Sequence, residues 1–258
     1  MPPTDPSHSY PIYRHPADES PPLHPFSPTV SRIRAHVERA LQHLVNHVLI
    51  QLYRTGADYI SEHSDKTIDV VRESRIVNLS LGARRTMTLK TKKDSLHGGD
   101  DDGDGEQQRP PRLTQRVPLP HNSLFVMDLW TNARWMHSVH TDKRPDGTKD
   151  PAERGARISL TFRRIGTFLT PAPEQTPEHP QRIYGQGATG KTRAEARPVV
   201  QGGAQAERLL AAFGAENHQS VFDWDGAYGE GFDVLHFAVA AASGEPAAGG
   251  GEIVAAQT

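Results

Sequence analysis

Three short stretches carry side chains able to do chemistry: EHSDK (62–66), ARWMHSVH (133–140) and ARISLTFRR (156–164). On a strand over 58–65, side chains alternate, so Tyr59, Ser61, His63 and Asp65 share a face and His63 and Asp65 reach one point from a single strand end. In the second stretch Trp135, His137 and Val139 share a face, which brings His137 from a strand whose apolar side points inward. Two imidazoles and one carboxylate suit Fe(II) with three positions left open for a co-substrate and dioxygen. In the third stretch Arg157 and Arg163 lie on one strand face, opposite Ile158, Leu160 and Phe162. Guanidinium groups facing an interior need anionic partners, and a dicarboxylate co-substrate would meet their planar fork. Plainer alternatives stand beside each reading. Among 14 histidines a second H-x-D, His140-Thr141-Asp142, runs into the polar loop KRPDGTKDP. The two arginines equally fit a solvated face or ion pairs with Asp or Glu.

A fourth stretch, GQGATGKT (185–192), fits G-x-x-x-x-G-K-[ST], the loop that cradles phosphates between a buried strand and a helix. Only RIY precedes it, after a proline-rich connector, and Pro198 with two glycines cuts short any helix that follows. A flexible surface loop is expected, with no ATP. The basic run Arg84, Arg85, Lys90, Lys92 and Lys93 suits phosphate contacts or, equally, a solvated strand edge guarded by lysines.

The elements that must position these residues follow from periodicity. Residues 1–28 hold nine of the 21 prolines, so residues 1–26 are expected to be extended or disordered. Ser27 then caps an amphipathic helix through Val30, Ile33, Val37, Leu41 and Leu44. Strand patterns follow at 47–54, 58–65, 76–82, 85–92, 123–128, 133–139 and 156–165. The acidic, glycine-rich stretch 97–112 reads as a mobile loop. One helix followed by about seven short strands gives a mainly β fold, a jelly roll, over 27–169. A proline- and glycine-rich extension with a short helix near 207–213 completes the chain over 170–258. The net charge of −2 gives no global pull toward nucleic acid, and the absence of cysteine leaves any metal to His, Asp and Glu. No apolar run is long enough for a membrane helix and the N-terminus lacks the form of a secretory signal, so a nuclear or cytoplasmic protein is expected.

The order H-x-D, W-x-H-x-V, R-I-S-L-T-F-R resembles the AlkB-like family of Fe(II)- and 2-oxoglutarate-dependent dioxygenases. QLYRTGADYISEHSDK is similar to that family's N-x-Y…H-x-D segment, and HNSLFVMDLWTNARWMHSV to its second-histidine segment; the resemblance covers about residues 25–168. It implies a double-stranded β-helix in which His63, Asp65 and His137 bind Fe(II). Arg157 would hold the distal carboxylate of 2-oxoglutarate, Arg163 would lie near its chelating carboxylate, and Tyr53 would hydrogen-bond it. Gln51 stands where the family usually has Asn, and a similar hydrogen bond is implied. The implied reaction consumes dioxygen and 2-oxoglutarate, yields succinate, and hydroxylates a C–H bond. On an N-methylated base of DNA or RNA it releases formaldehyde. The same chemistry on a small molecule or protein, and a non-catalytic binding module, are the alternatives. Family members usually carry a longer upstream region that covers the nucleotide; here it is short and proline-rich, so the chain lacks that lid, is a fragment, or uses other parts.

Overall fold

Ser27 begins the first helix: its side chain accepts from the Val30 N–H at 3.2 Å, and Pro28 takes a position where no N–H is needed. The computed structural model describes residues 9–16, 23–96, 111–171, 180–235 and 252–257, the last as backbone. Helix α1 (Pro28–Leu41) lays Val30, Ile33, Val37 and Leu41 against Val48, Val77, Leu79, Leu160 and Phe162. Complete burial of a side chain such as Phe162 contributes about 1.5–3 kcal/mol. Leu44 does not extend this stripe and is 67% exposed, because Gln42 turns left-handed (φ 60°) and ends the helix.

Those partners belong to the largest of three sheets. Its strands run β2 (Leu23–Pro25), β14 (Glu252–Gln257), β3 (His47–Tyr53), β10 (Arg157–Arg163), β5 (Arg75–Gly82) and β8 (Ser123–Asp128), antiparallel except for the β2–β14 pair. A second sheet runs β4 (Ile60–His63), β9 (Trp135–Val139), β6 (Arg85–Thr91) and β7 (Thr114–Leu119). Tyr53 of the largest sheet packs on Met87, Leu89 and Val139 of the second, and Trp135 joins that cluster. The architecture is mainly β, of the jelly-roll kind. A third small sheet joins β1 (Tyr10–Pro11), β11 (Thr167–Leu169), β12 (Arg182–Gly185) and β13 (Arg197–Pro198).

Two expected strands differ, and one strand is unexpected. The strand expected over 58–65 is only β4, with a register shift between Ile60 and His63, so Asp65 lies beyond its end and Tyr59 is largely exposed. The strand expected from 133 begins at Trp135, because Asp128 caps a short helix α2 (Leu129–Arg134) through the Thr131 N–H. Strand β7 has no counterpart in the expected set; Pro118 suits it to the sheet edge it occupies. Of the loop expected at 97–112, residues 97–110 lie outside the described residues.

The GQGATGKT stretch is a partly buried, hydrogen-bonded turn, where a flexible surface loop is expected. The N–H groups of Gly185, Gln186, Gly187, Ala188, Thr189 and Thr192 donate to groups within the protein, so none of these is open to a phosphate. Lys191 Nζ donates to the carbonyls of Gln186, Ala188 and Gly229. A Cβ at Gly187 would stand 2.5 Å from Arg14 Nη2, which explains that glycine by packing. Arg14 is buried and fully paired: it meets Asp69 at 2.6 Å and the carbonyls of Gly187 and Phe232 at 2.7 Å. One guanidinium thus ties the N-terminal strap, the turn and the C-terminal segment together.

Helices α3 (Gly203–His218) and α4 (Trp224–Tyr228) form a second apolar cluster with Ile68, Phe232 and Val234. Lys92 Nζ donates to the carbonyls of Glu216 and Gln219 at the end of α3, satisfying groups the helix leaves unpaired. The buried Glu216 carboxylate accepts from Tyr228 at 2.8 Å and from the Thr67 N–H at 3.0 Å. Trp224 packs edge-on against Tyr228 at 5.7 Å.

Candidate metal centre

Strands β4 and β9 pair with His63 opposite His137, and their rings lie 4.2 Å apart. His63 Nδ1 is 2.8 Å from the Ser61 carbonyl, so it carries the proton and leaves the Nε2 lone pair for a metal. Asp65 is held from both ends. Asn132 accepts from its N–H and donates to its carbonyl, each at 2.9 Å. Arg163 donates to Oδ2 through Nε at 2.9 Å and Nη2 at 2.5 Å. Oδ1 therefore faces the imidazoles, 3.5 Å from His137 Nε2 and 3.9 Å from His63 Nε2. One ligand atom from each residue lies within 4.8 Å of the others.

The protonation states suit metal binding. Burial lowers the His63 pKa, and burial with the neighbouring His63 lowers His137 to about 3. Burial alone would raise Asp65, but the Arg163 guanidinium, helped by His137 and His63, holds it well below the usual carboxylate range. Neutral imidazoles beside an ionised carboxylate are the forms that ligate a divalent cation.

Strand β10 positions the arginines as its alternation requires. Arg157 and Arg163 are both buried on the face that meets the triad, while Leu160 and Phe162 pack under α1. Ile158, on their side, lies past the helix and is 40% exposed. Arg157 pairs in register with Tyr53, whose ring centroid is 5.0 Å from the guanidinium. Its Nη2 donates to Asn78 Oδ1 and Ser80 Oγ at 3.0 and 2.8 Å. Its Nε and Nη1 are buried without a well-formed hydrogen bond among the described residues, with the Tyr53 hydroxyl beside the guanidinium; Nη1 of Arg163, beside Tyr13, is the same. Buried donors so poorly paired are costly, and an incoming carboxylate would satisfy them bidentately. The set therefore fits both Fe(II) and 2-oxoglutarate. Gln51, Tyr53, His63, His137, Arg157 and Arg163 line one inner chamber of about 70 Å³. It shares Gln51, His63, Asp65 and Arg163 with an outer cavity of about 610 Å³.

Sequence reasoning missed Asn132, which sits in a helix it did not expect. It also passed over Asn78 and Ser80, although two polar residues at period two in the apolar strand IVNLSLG were a visible signal. Three of the five residues of the basic run are engaged within the protein, while Arg84 and Lys93 are exposed. Arg85 is buried on the carbonyls of Thr55, Asp58 and His140, Lys92 caps α3, and Lys90 pairs with Glu62 at 2.6 Å.

Comparison with known proteins points the same way. The human DNA oxidative demethylase ALKBH2 is 33% identical over 141 residues, which is 55% of this chain and 48% of that protein. Human alpha-ketoglutarate-dependent dioxygenase alkB homolog 3 is 30% identical over 138 residues, 54% of this chain and 43% of that protein. The Arabidopsis thaliana ALKBH2 is 32% identical over 126 residues, 46% of this chain and 38% of that protein. The chain thus spans about half the length or less of these curated relatives. No helix among the described residues is long and apolar enough to cross a membrane. Residues 3–163, well over half of the chain and including every residue of the triad, match the 2OG-Fe(II) oxygenase superfamily, and the chain belongs to it.

Proposed function

We propose that the protein is an Fe(II)- and 2-oxoglutarate-dependent dioxygenase that removes N-linked methyl groups from bases of alkylated nucleic acid. The observation that carries the reading is the shared inner chamber: a two-histidine, one-carboxylate set beside a buried arginine with two donors lacking a well-formed hydrogen bond. The name of the human DNA oxidative demethylase to which the chain is similar supports a methylated DNA substrate.

His63, Asp65 and His137 would hold the iron, which when loaded activates dioxygen for hydroxylation of a C–H bond as 2-oxoglutarate is oxidised to succinate and carbon dioxide. Arg157 binds the distal carboxylate through Nε and Nη1, while Asn78 and Ser80 fix its other nitrogen and so its plane. Tyr53 closes the chamber behind that guanidinium. Arg163 keeps Asp65 ionised and oriented, with Oδ1 toward the metal. Gln51 lines the wall between the two cavities, where its amide can meet the co-substrate. Burial excludes water and strengthens each of these interactions. A duplex cannot bring a base to this depth, so the substrate base is extruded or single-stranded. A hydroxymethyl group on nitrogen breaks down without further help, giving formaldehyde and the demethylated base. A nuclear or cytoplasmic location fits such a substrate.

The test is succinate and formaldehyde formation with Fe(II), 2-oxoglutarate and an oligonucleotide carrying N-methylated bases, beside a panel of small molecules and peptides. Formaldehyde release with the oligonucleotide is expected. Turnover coupled only to a small molecule or peptide would overturn the nucleic-acid assignment, and no Fe(II)-dependent turnover with any substrate would overturn the enzymatic one.

A further inference from the structure

The outer cavity has a wall that the two sheets do not supply. Helix α3 contributes Leu210, Phe213, Gly214, Asn217 and His218 to it, facing Tyr13, Gln51 and His63. The family match ends at residue 163, so α3 lies in chain about which that match says nothing. The helix is also firmly placed. Lys92 caps its end, Glu216 is bonded to Thr67 and Tyr228, and Leu209 and Phe213 are buried.

Two residues of this wall are unexplained by folding alone. Gly214 sits inside a 16-residue helix, where glycine is less stable than alanine. A Cβ there would meet no atom within 4 Å, so neither packing nor a left-handed backbone requires glycine. What the missing side chain leaves is space on the cavity wall. Asn217 has its amide orientation set by Oδ1, which accepts from the Ser64 N–H at 3.0 Å and Lys66 Nζ at 3.1 Å. Its NH₂ donates to nothing among the described residues. Ser64 lies between His63 and Asp65, so this amide is anchored directly to the metal-ligating turn.

We propose that α3 is the substrate-facing wall of the site, with Gly214 leaving room for a planar methylated base and Asn217 donating an amide N–H to an acceptor on its ring. The assignment rests on the demethylase reading above. It gives the C-terminal segment the role of a fixed specificity wall, built from a helix already packed on the core. A pocket that reads a flipped base by its edge needs such a donor.

Binding of a labelled single-stranded oligonucleotide bearing one N-methylated adenine, measured on protein loaded with Mn(II) and 2-oxoglutarate, tests it alongside formaldehyde release with Fe(II). Gly214→Ala should raise the melting temperature while weakening oligonucleotide binding. Gly214→Leu should fill the space and abolish oligonucleotide binding while still giving a thermal shift with Mn(II) and 2-oxoglutarate. Asn217→Asp keeps the oxygen that Ser64 and Lys66 need but replaces the donor, so KM for the oligonucleotide should rise about tenfold with a smaller change in kcat. Wild-type affinity in folded Gly214→Leu removes the space from the assignment, and wild-type KM in Asn217→Asp removes the hydrogen bond; both together overturn it. Should the wild-type protein neither bind nor demethylate the oligonucleotide, the demethylase reading fails and this assignment fails with it, a result distinct from any variant's.

Discussion

The chain contains H-x-D twice, and the two copies end in different environments. At His63-Ser64-Asp65 the carboxylate is buried, one oxygen is gripped by Arg163, and the other is left toward two imidazoles. At His140-Thr141-Asp142 both carboxylate oxygens are taken by Arg144, at 2.9 and 2.7 Å. His140 Nε2 is 3.2 Å from Ser138 Oγ, and the His140 carbonyl accepts from Arg85. The residue types are equal; the available lone pairs are not. A carboxylate becomes a ligand when the fold secures one oxygen and withholds partners from the other, close to neutral histidines. The second copy closes a polar loop, in which the Asp142 backbone N–H donates to the Gly56 carbonyl at 2.7 Å.

Substitutions at the two copies should separate them most widely. His63→Ala or Asp65→Asn should abolish Fe(II)-dependent 2-oxoglutarate turnover, whereas His140→Ala, at an exposed residue outside the chamber, should leave it within about twofold. Equal losses at both copies would dissolve the distinction. Next in size is the grip on the carboxylate. Arg163→Met strands a buried Asp65 charge and should cost about 3–5 kcal/mol in denaturant unfolding of the metal-free protein. Arg144→Met, at a pair whose guanidinium is exposed, should lower the midpoint much less. Arg157→Lys keeps the charge but loses the fork, and should raise KM for 2-oxoglutarate about tenfold or more, with the metal affinity unchanged.

The last effect shows only in acid and concerns a buried histidine with no ligand role. His47, at the start of β3, has its pKa lowered by burial, and further by Arg163 and His15, from 6.5 to about 3. Tyr13 packs against its other side. The unfolded chain therefore binds this proton at higher pH than the folded one. The stability contribution is complete above 6.5 and is lost as pH falls from 6.5 toward 3, by at most about 1.4 kcal/mol per pH unit. His47→Leu should flatten that part of the stability–pH curve; an unchanged slope would assign the acid loss to other groups.

Alternation was enough to read the β10 face, because Arg157 and Arg163 sit on a regular strand. It was not enough for Asp65, which lies past a register shift and owes its position to Asn132 and Arg163, 67 and 98 residues away in sequence. Ser27, Pro28 and the apolar stripe announced α1, since capping and periodicity are local. The GQGATGKT turn misled for the opposite reason: its Gly187 answers to Arg14 and Asp69, contacts that no local pattern carries. The same holds for α3. Its short apolar run marked a helix, but only the bonds from Asn217 to Ser64 and Lys66 and from Lys92 to its C-terminal end show that it belongs beside the metal turn.

The central claim is that the triad and Arg157 form one oxygenase site acting on methylated bases. The most direct measurement is formaldehyde release from an oligonucleotide with N-methylated bases, with and without Fe(II) and 2-oxoglutarate, in wild-type protein and Asp65→Asn. The account predicts stoichiometric succinate and formaldehyde in the wild type that vanish on omitting either factor or on the substitution. Formaldehyde release that persists in Asp65→Asn, or a wild type that releases none while folded and metal-loaded, would contradict it.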